Sequence, residues 1–165
     1  MLARRKFWDL TQTPYGLKHD FYILSSGVKL HYVVSSPPST QPGKPTSLVI
    51  FLHGFPDSWV LWRHFLTSER LSDNAVLAAV DLPGYGGSDG LPEYNATNVL
   101  ETVTAFILCM REEYKIDERK GPGEERGKVI VVAHDWGAAI AFRLAAEAPQ
   151  LADRFITSSV FLVSS

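Results

Sequence analysis

Asp135 stands in a run of small residues that is typical of a nucleophile on a sharp turn. Ala133 lies two positions before it, and Gly137 and Ala138 lie two and three positions after it. The central residue of such a strand-to-helix turn takes a strained backbone conformation, and larger neighbours would collide with the strand or the helix. A carboxylate in this position can attack an electrophilic carbon and form a covalent ester. The start of a helix also favours its ionised, nucleophilic form.

A second candidate element, residues 53–56, follows a short apolar run and has the sequence His-Gly-Phe-Pro. Gly54 permits an unusual backbone turn, and Pro56 stiffens the segment. We expect the backbone N–H groups of Phe55 and Trp136 to form an oxyanion hole, because donors in these two places can face the same reacting group.

Each of these elements also has a plainer interpretation. An aspartate at the start of a helix is a common N-cap, and this role needs no chemistry. For the side chain of His53 we favour a structural role, in which the imidazole braces the loop while the backbone amides act. Three polar or glycine-rich loops, 53–57, 81–89 and 134–137, each follow a predicted strand. Their coincidence favours the nucleophile interpretation of Asp135.

The apolar pattern predicts the strands that carry these loops. Short continuous apolar runs over 48–52, 76–80 and 129–133 are typical of buried parallel strands. A β-hairpin over 21–34 precedes them, and one more strand is predicted over 154–163.

Helical spacing follows three of the strands. Ser58 is placed to cap a helix, Asn98 and Glu101 resemble a capping box, and a third helix follows Asp135. Strands that alternate with helices predict an α/β fold, with a mostly parallel sheet and helices on both faces. Ligands bind at the carboxyl ends of such strands, where the three loops meet.

Composition narrows the class of protein. The 165 residues, 45% of them apolar, suit one domain with its own core, and a net charge of −2 without a basic stripe argues against nucleic-acid binding. The single cysteine, Cys109, cannot form an intrachain disulfide. Neither histidines nor acids show the spacing of metal ligands, so we expect no metal and no organic cofactor.

The sequence also predicts a soluble, cytoplasmic protein. No apolar run approaches the roughly 18 residues that span a bilayer. The basic residues Arg4, Arg5 and Lys6 lead to Asp9 rather than to an apolar leader.

The chain resembles the α/β-hydrolases, and among them the epoxide hydrolases. The resemblance rests on residues 53–63, 81–89 and 134–137, and it covers nearly the whole chain from about residue 18. It divides the chain into an N-terminal extension, 1–17, and a partial α/β-hydrolase core, 18–165. It implies that Asp135 opens a small apolar epoxide to an ester, that Phe55 and Trp136 form the oxyanion hole, and that water then releases a diol.

Related families with the same fold fit less well. Haloalkane dehalogenases share an aspartate followed by tryptophan, but they usually carry asparagine where this chain has Phe55. Fluoroacetate dehalogenases carry arginine in place of Trp136. Serine esterases need a serine at position 135.

Part of the expected machinery does not occur in the sequence. No histidine follows Asp135, and no tyrosine follows Tyr114. The family places its catalytic histidine and the tyrosines of a helical cap in that part of the chain. Asp153 is the one acid after Glu147, and we interpret it as a surface residue. We therefore expect the N-terminal half of a hydrolase, inactive as it stands and able to self-associate through an exposed sheet edge. The alternative is a non-catalytic binding protein or remnant.

Overall fold

A six-stranded sheet forms the centre of the computed structural model, which describes residues 16–35, 46–118 and 125–158. The strands are β1 (Lys18–Ile23), β2 (Lys29–Val34), β3 (Ser47–Leu52), β4 (Ala75–Val80), β5 (Val129–His134) and β6 (Arg154–Ser158). They lie in the order β1-β2-β4-β3-β5-β6. Strands β4, β3, β5 and β6 are parallel, as the alternating pattern predicted. The expected α/β-hydrolase fold class is confirmed.

The predicted hairpin forms the outer strands on one side. β1 and β2 pair antiparallel, and β2 then pairs antiparallel with β4. On the other side β6 pairs with β5 and is the last strand of the sheet within the described residues. The predicted strand over 154–163 is confirmed as far as Ser158, and its remainder lies outside the described residues. Of the predicted extension 1–17, only Gly16 and Leu17 are described.

The described residues form four α-helices that cover the sheet: α1 (Arg63–Leu66), α2 (Glu69–Ser72), α3 (Ala96–Glu113) and α4 (Trp136–Glu147). The expected helix after Ser58 is a 3-10 turn followed by the short α1, and Ser58 does cap that turn. The expected capping box at Asn98 is wrong. The side chain of Asn95 caps α3 and accepts the Asn98 N–H at 2.8 Å, because the helix begins three residues earlier than the apolar spacing indicated.

Two apolar clusters, one on each face, pack the sheet against its helices. Alternate residues of β3 enter different clusters, because successive side chains of a strand point to opposite faces: Ile50 packs in one and Phe51 in the other. All six residues of β4 are buried. A central strand packed on both faces is rigid, so the loops at its carboxyl end start from fixed positions.

The strand register places those loops at one level. Leu52, the last residue of β3, is aligned with Val80 of β4 and with Ala133 of β5. His53, Asp81 and His134 therefore come next to one another. Within the described parts of the chain, no helix is long and apolar enough to cross a membrane.

Candidate active site

Asp135 occupies the turn between β5 and α4 with a backbone that L-residues rarely adopt. Its φ is +52° and its ψ is −120°. Among the described non-glycine residues, only Lys115 also has a positive φ. The conformation is held from both sides, since the Asp135 carbonyl accepts the Ala138 N–H at 2.9 Å and its N–H donates to the Ser158 carbonyl at 3.3 Å. The strained turn predicted for this position is therefore present.

Two glycines make room for this turn. A Cβ on Gly137 would lie 2.5 Å from the carbonyl oxygens of Leu52 and His53, so only glycine lets α4 approach β3 this closely. A Cβ on Gly54 would overlap the side chain of Asp135. Small residues at these positions bring the carboxylate directly above the end of β3.

The carboxylate of Asp135 is bonded to both predicted backbone donors. The Phe55 N–H donates to its Oδ2 at 2.9 Å, and the Trp136 N–H also bonds to the carboxylate. These two bonds, with a smaller contribution from the charge of His134, hold the pKa of Asp135 below its ordinary value. Asp135, Phe55 and Trp136 thus lie together, and the acid is ionised at neutral pH.

The imidazole of His53 braces the donor loop, as expected. It is fully buried, its Nε2 accepts the Leu82 N–H at 2.9 Å, and its Nδ1 donates to the Gly54 carbonyl at 2.8 Å. Burial lowers the pKa of this side chain. Both ring nitrogens are engaged, so neither is available to activate water.

Asp81 is a structural centre that the sequence analysis did not identify. Its carboxylate is fully buried and accepts the Trp59 N–H at 2.7 Å, the Gly87 N–H at 2.9 Å and the Nδ1 of His31 at 2.8 Å. The two loops beside the site are tied together by these bonds. The available signal was an aspartate at a strand end followed by a glycine-rich turn. Gly86, with φ +53°, makes space for the carboxylate.

Asp153 lies at the opposite end of the sheet from Asp135. It accepts the Val129 N–H at 2.8 Å and both terminal nitrogens of Arg126 at 2.9 and 3.0 Å. The residue lies at the surface, as expected, and these bonds hold its side chain there. The residue fixes the amino end of β5, and it cannot reach Asp135 there.

The two residues whose N–H groups bond the carboxylate carry exposed aromatic side chains. Phe55 and Trp136 are 65% and 63% exposed. A groove of about 500 Å³ runs beside Trp136 and is also lined by Tyr94, Val99 and Ile140. Within the described parts of the chain, no three His, Cys, Asp or Glu side chains are grouped to hold a metal ion. Exposed apolar surface therefore lies next to the turn that carries Asp135.

The sheet order, the strained β5–α4 turn and the donors that face it are those of an α/β-hydrolase core. Residues 49–165 match the model of the Alpha/beta hydrolase family. The chain belongs to this family.

Curated relatives of the chain are named as epoxide hydrolases. Epoxide hydrolase 3 of Mus musculus is 32% identical over 140 residues, which cover 83% of this chain and 32% of the relative. Epoxide hydrolase B of Mycobacterium tuberculosis is 33% identical over 119 residues, which cover 72% of this chain and 29% of the relative. The chain thus spans about a third of the length of the curated relatives that it matches.

Solved structures with a similar fold include an epoxide hydrolase and a haloalkane dehalogenase. An epoxide hydrolase from Vigna radiata superposes with a TM-score of 0.66 at 26% identity, over 88% of this chain and 41% of that one. A haloalkane dehalogenase from Agrobacterium tumefaciens superposes with a TM-score of 0.59 at 29% identity, over 88% and 40% of the two chains.

Proposed function

We propose that this chain is the nucleophile-bearing part of an epoxide hydrolase-like enzyme, with Asp135 as nucleophile and the N–H groups of Phe55 and Trp136 as oxyanion hole. The observation that carries the proposal is the pair of backbone donors on the carboxylate of a strained turn, one of them 2.9 Å from Oδ2. The names of the relatives support an epoxide as the substrate.

The proposed reaction has two steps. A carboxylate oxygen of Asp135 attacks an epoxide carbon, the carbon–oxygen bond of the ring breaks, and the alkoxide takes a proton from water. The product is a hydroxyalkyl ester. A water that gives a proton to a base then attacks the carboxyl carbon, and negative charge develops on the oxygen that faces the Phe55 N–H. Donors already in place at that oxygen stabilise the charge. Collapse of this intermediate breaks the bond to the alkyl oxygen, which takes the proton of the new carboxyl group. A diol is released, the carboxylate is restored, and the proton held by the base neutralises the hydroxide left by the first step.

The 165-residue chain is expected to stop at the ester. The second step needs a base for water, and no histidine follows Asp135 in the sequence. His53 cannot substitute, because its two nitrogens are bonded to Leu82 and Gly54.

Incubation with styrene oxide tests the proposal. We expect the intact mass of the chain to rise by one epoxide, the adduct to map to the peptide that contains Asp135, and Asp135→Ala to abolish it. If a folded chain forms no adduct, the assignment of Asp135 as nucleophile is wrong. Steady formation of diol that Asp135→Ala abolishes would instead show that the chain completes the reaction.

A second candidate reaction is dehalogenation. It is supported by the similarity to the solved haloalkane dehalogenase. In that reaction Asp135 would displace halide from a haloalkane and form the same kind of ester. Incubation with 1-bromobutane separates the two: release of one bromide per chain, without reaction of styrene oxide, would favour the dehalogenase. Reversible binding of both compounds with no ester would favour a binding protein.

We also propose that the β6 edge mediates self-association. On this side β6 has no further strand among the described residues, and Ile156 is 51% exposed. An open strand edge with an apolar side chain is a template for pairing with another strand. Sedimentation should show association that rises with concentration and weakens in Ile156→Lys. A concentration-independent monomer would contradict this proposal.

A further inference from the structure

We propose that His53 is a positioning residue whose imidazole sets the plane of the Gly54–Phe55 peptide and thereby aims the Phe55 N–H at Asp135. The inference rests on the proposed function, because it concerns a donor of the proposed oxyanion hole. The Gly54 carbonyl and the Phe55 N–H belong to one planar peptide unit. A group that holds the carbonyl therefore also sets the direction of the N–H.

The two ends of this peptide are each bonded. His53 Nδ1 and the Asp57 N–H donate to the Gly54 carbonyl at 2.8 and 2.9 Å, and on the other side the Phe55 N–H donates to Asp135 Oδ2 at 2.9 Å. The imidazole and the carboxylate thus act on opposite poles of a single dipole. The bond from His53 also polarises the peptide, which strengthens the N–H as a donor.

Only one form of the imidazole satisfies its neighbours. The Leu82 N–H is a donor, so Nε2 must be the acceptor and the proton must lie on Nδ1. An imidazolium would lose the bond from Leu82. Burial lowers the pKa of His53 and keeps the ring neutral, against the smaller opposing effects of the Gly54 carbonyl and the charges of Asp81 and Asp57.

The direction of the Phe55 N–H therefore depends on contacts between His53 and the residues that follow β4. Leu82 lies two residues after the end of β4, and its N–H donates to Nε2 of the ring. The ring of Tyr85 packs edge-on against the imidazole, with 5.4 Å between the centroids. A donor that is anchored through His53 to the end of β4 is fixed before any substrate arrives, which is the requirement for electrostatic stabilisation of a transition state.

The first test uses the unaltered chain. Nitrogen NMR of the imidazole reports which ring nitrogen carries the proton. We expect His53 as the Nδ1–H tautomer at neutral pH, with coupling through the hydrogen bond to the Gly54 carbonyl. The Nε2–H tautomer or an imidazolium would overturn the proposal. This measurement needs no substrate and no variant.

The second test separates the two bonds with a matched pair of variants. In His53→Asn the amide replaces Nδ1, so the donor to Gly54 is kept and the acceptor for Leu82 is lost. In His53→Gln the amide replaces Nε2, so the acceptor is kept and the donor is lost. His53→Asn leaves the Leu82 N–H without its acceptor, whereas in His53→Gln the Gly54 carbonyl keeps its bond from the Asp57 N–H, so the unfolding midpoint should fall at least as far in His53→Asn as in His53→Gln.

Carbon NMR of the labelled Asp135 carboxyl gives the readout. We expect its pKa to rise toward that of an ordinary aspartate in His53→Gln and to stay low in His53→Asn. The Phe55 amide resonance should move only in His53→Gln. Equal shifts in both variants, or none in either, would overturn the proposal. If the variants unfold, the measurement of the His53 tautomer in the unaltered chain decides. The outcome is independent of ester formation, so it can fail or succeed separately from the proposed function.

Discussion

Asp81 and Asp135 follow β4 and β5, the two strands that flank β3, yet the surroundings of their carboxylates differ. The carboxylate of Asp81 is fully buried and bonded to groups from three parts of the chain. The carboxylate of Asp135 is bonded to two backbone N–H groups and faces exposed aromatic side chains. The strain is also unequal, because only Asp135 has a positive φ. Asp81 stabilises the loops beside the site, and Asp135 has a strained conformation that the surrounding structure holds in place.

Asp81→Ala should produce the largest effect on stability. It leaves the buried N–H groups of Trp59 and Gly87 without an acceptor and removes the partner of His31 Nδ1. We expect the free energy of unfolding to fall by about 3–5 kcal/mol. Urea unfolding measures it. Asp135→Ala is the control and should change stability by about 0.5 kcal/mol or less. Equal losses in the two variants would remove the distinction between the two aspartates.

Alanine at the glycines that accommodate the two carboxylates should have the next largest effect. A Cβ on Gly86 would overlap Asp81, and a Cβ on Gly54 would overlap Asp135. We expect each substitution to lower the free energy of unfolding by about 1–3 kcal/mol, because the surrounding groups are fixed. Only Gly54→Ala should also raise the pKa of Asp135, since it displaces the Phe55 donor. If the pKa of Asp135 in Gly54→Ala stays as low as in the unaltered chain, the close approach of Gly54 to Asp135 is not required.

Asp135→Gly should stabilise the chain by about 1 kcal/mol, because glycine adopts a positive φ without the strain of a side chain. Thermal unfolding would detect the gain. Lys115→Gly is the matched control, with the same φ of +52° outside the site. It should be stabilised without effect on ester formation, whereas Asp135→Gly should abolish the ester. A loss of stability in Asp135→Gly would contradict the assignment of strain to this turn.

Changes of pH should have the smallest effects on stability. They should distinguish the buried histidines from Asp135, because the two kinds of group titrate in different pH ranges. The pKa values of His19 and His53 are lowered by burial, so the unfolded chain binds more protons and stability falls as pH drops below about 6.5. The pKa of Asp135 is lowered by its donors, so its contribution is present above about 3.9 and is lost as pH falls through the folded pKa. Unfolding measured from pH 8 to 3 should show both phases.

The control for the pH prediction is Asp135→Asn. It should retain the phase near neutrality and lose the part of the acidic phase that Asp135 contributes. A neutral phase that disappears in this variant would mean that the histidines are coupled to the nucleophile rather than titrating by themselves.

The sheet was predictable from sequence because its strands are continuous apolar runs bounded by turn residues. β3, β4 and β5 begin and end within a residue of the predicted limits. The turn at Asp135 was predictable for a different reason, since small residues at fixed offsets are a local steric requirement. The positions of Phe55 and Trp136 follow from adjacency to that turn and to the end of β3.

Features that depend on distant partners were not predictable. Asp81 owes its role to His31, 50 positions away, and to Trp59, 22 positions away. The partner of Asp153 was not predicted, because Arg126 is 27 positions away in a charged connector that offers no periodicity. Asn95 was missed as the cap of α3 because the apolar spacing begins after the helix does. For Asp81 and Asp153 the missing information is a contact across the fold, and for Asn95 it is a local bond to Asn98, three positions away.

The alignment of Leu52 with both Val80 and Ala133 also limits how this protein can change through descent. Strand neighbours are only about 4.8 Å apart, and each residue added to a strand turns its following side chain to the opposite face. One codon gained or lost inside β3 would rotate Phe55 away from Asp135 and His53 away from Leu82 together. Single-residue insertions and deletions should therefore be purged from residues 47–54 in natural lineages, while substitutions that preserve the count persist.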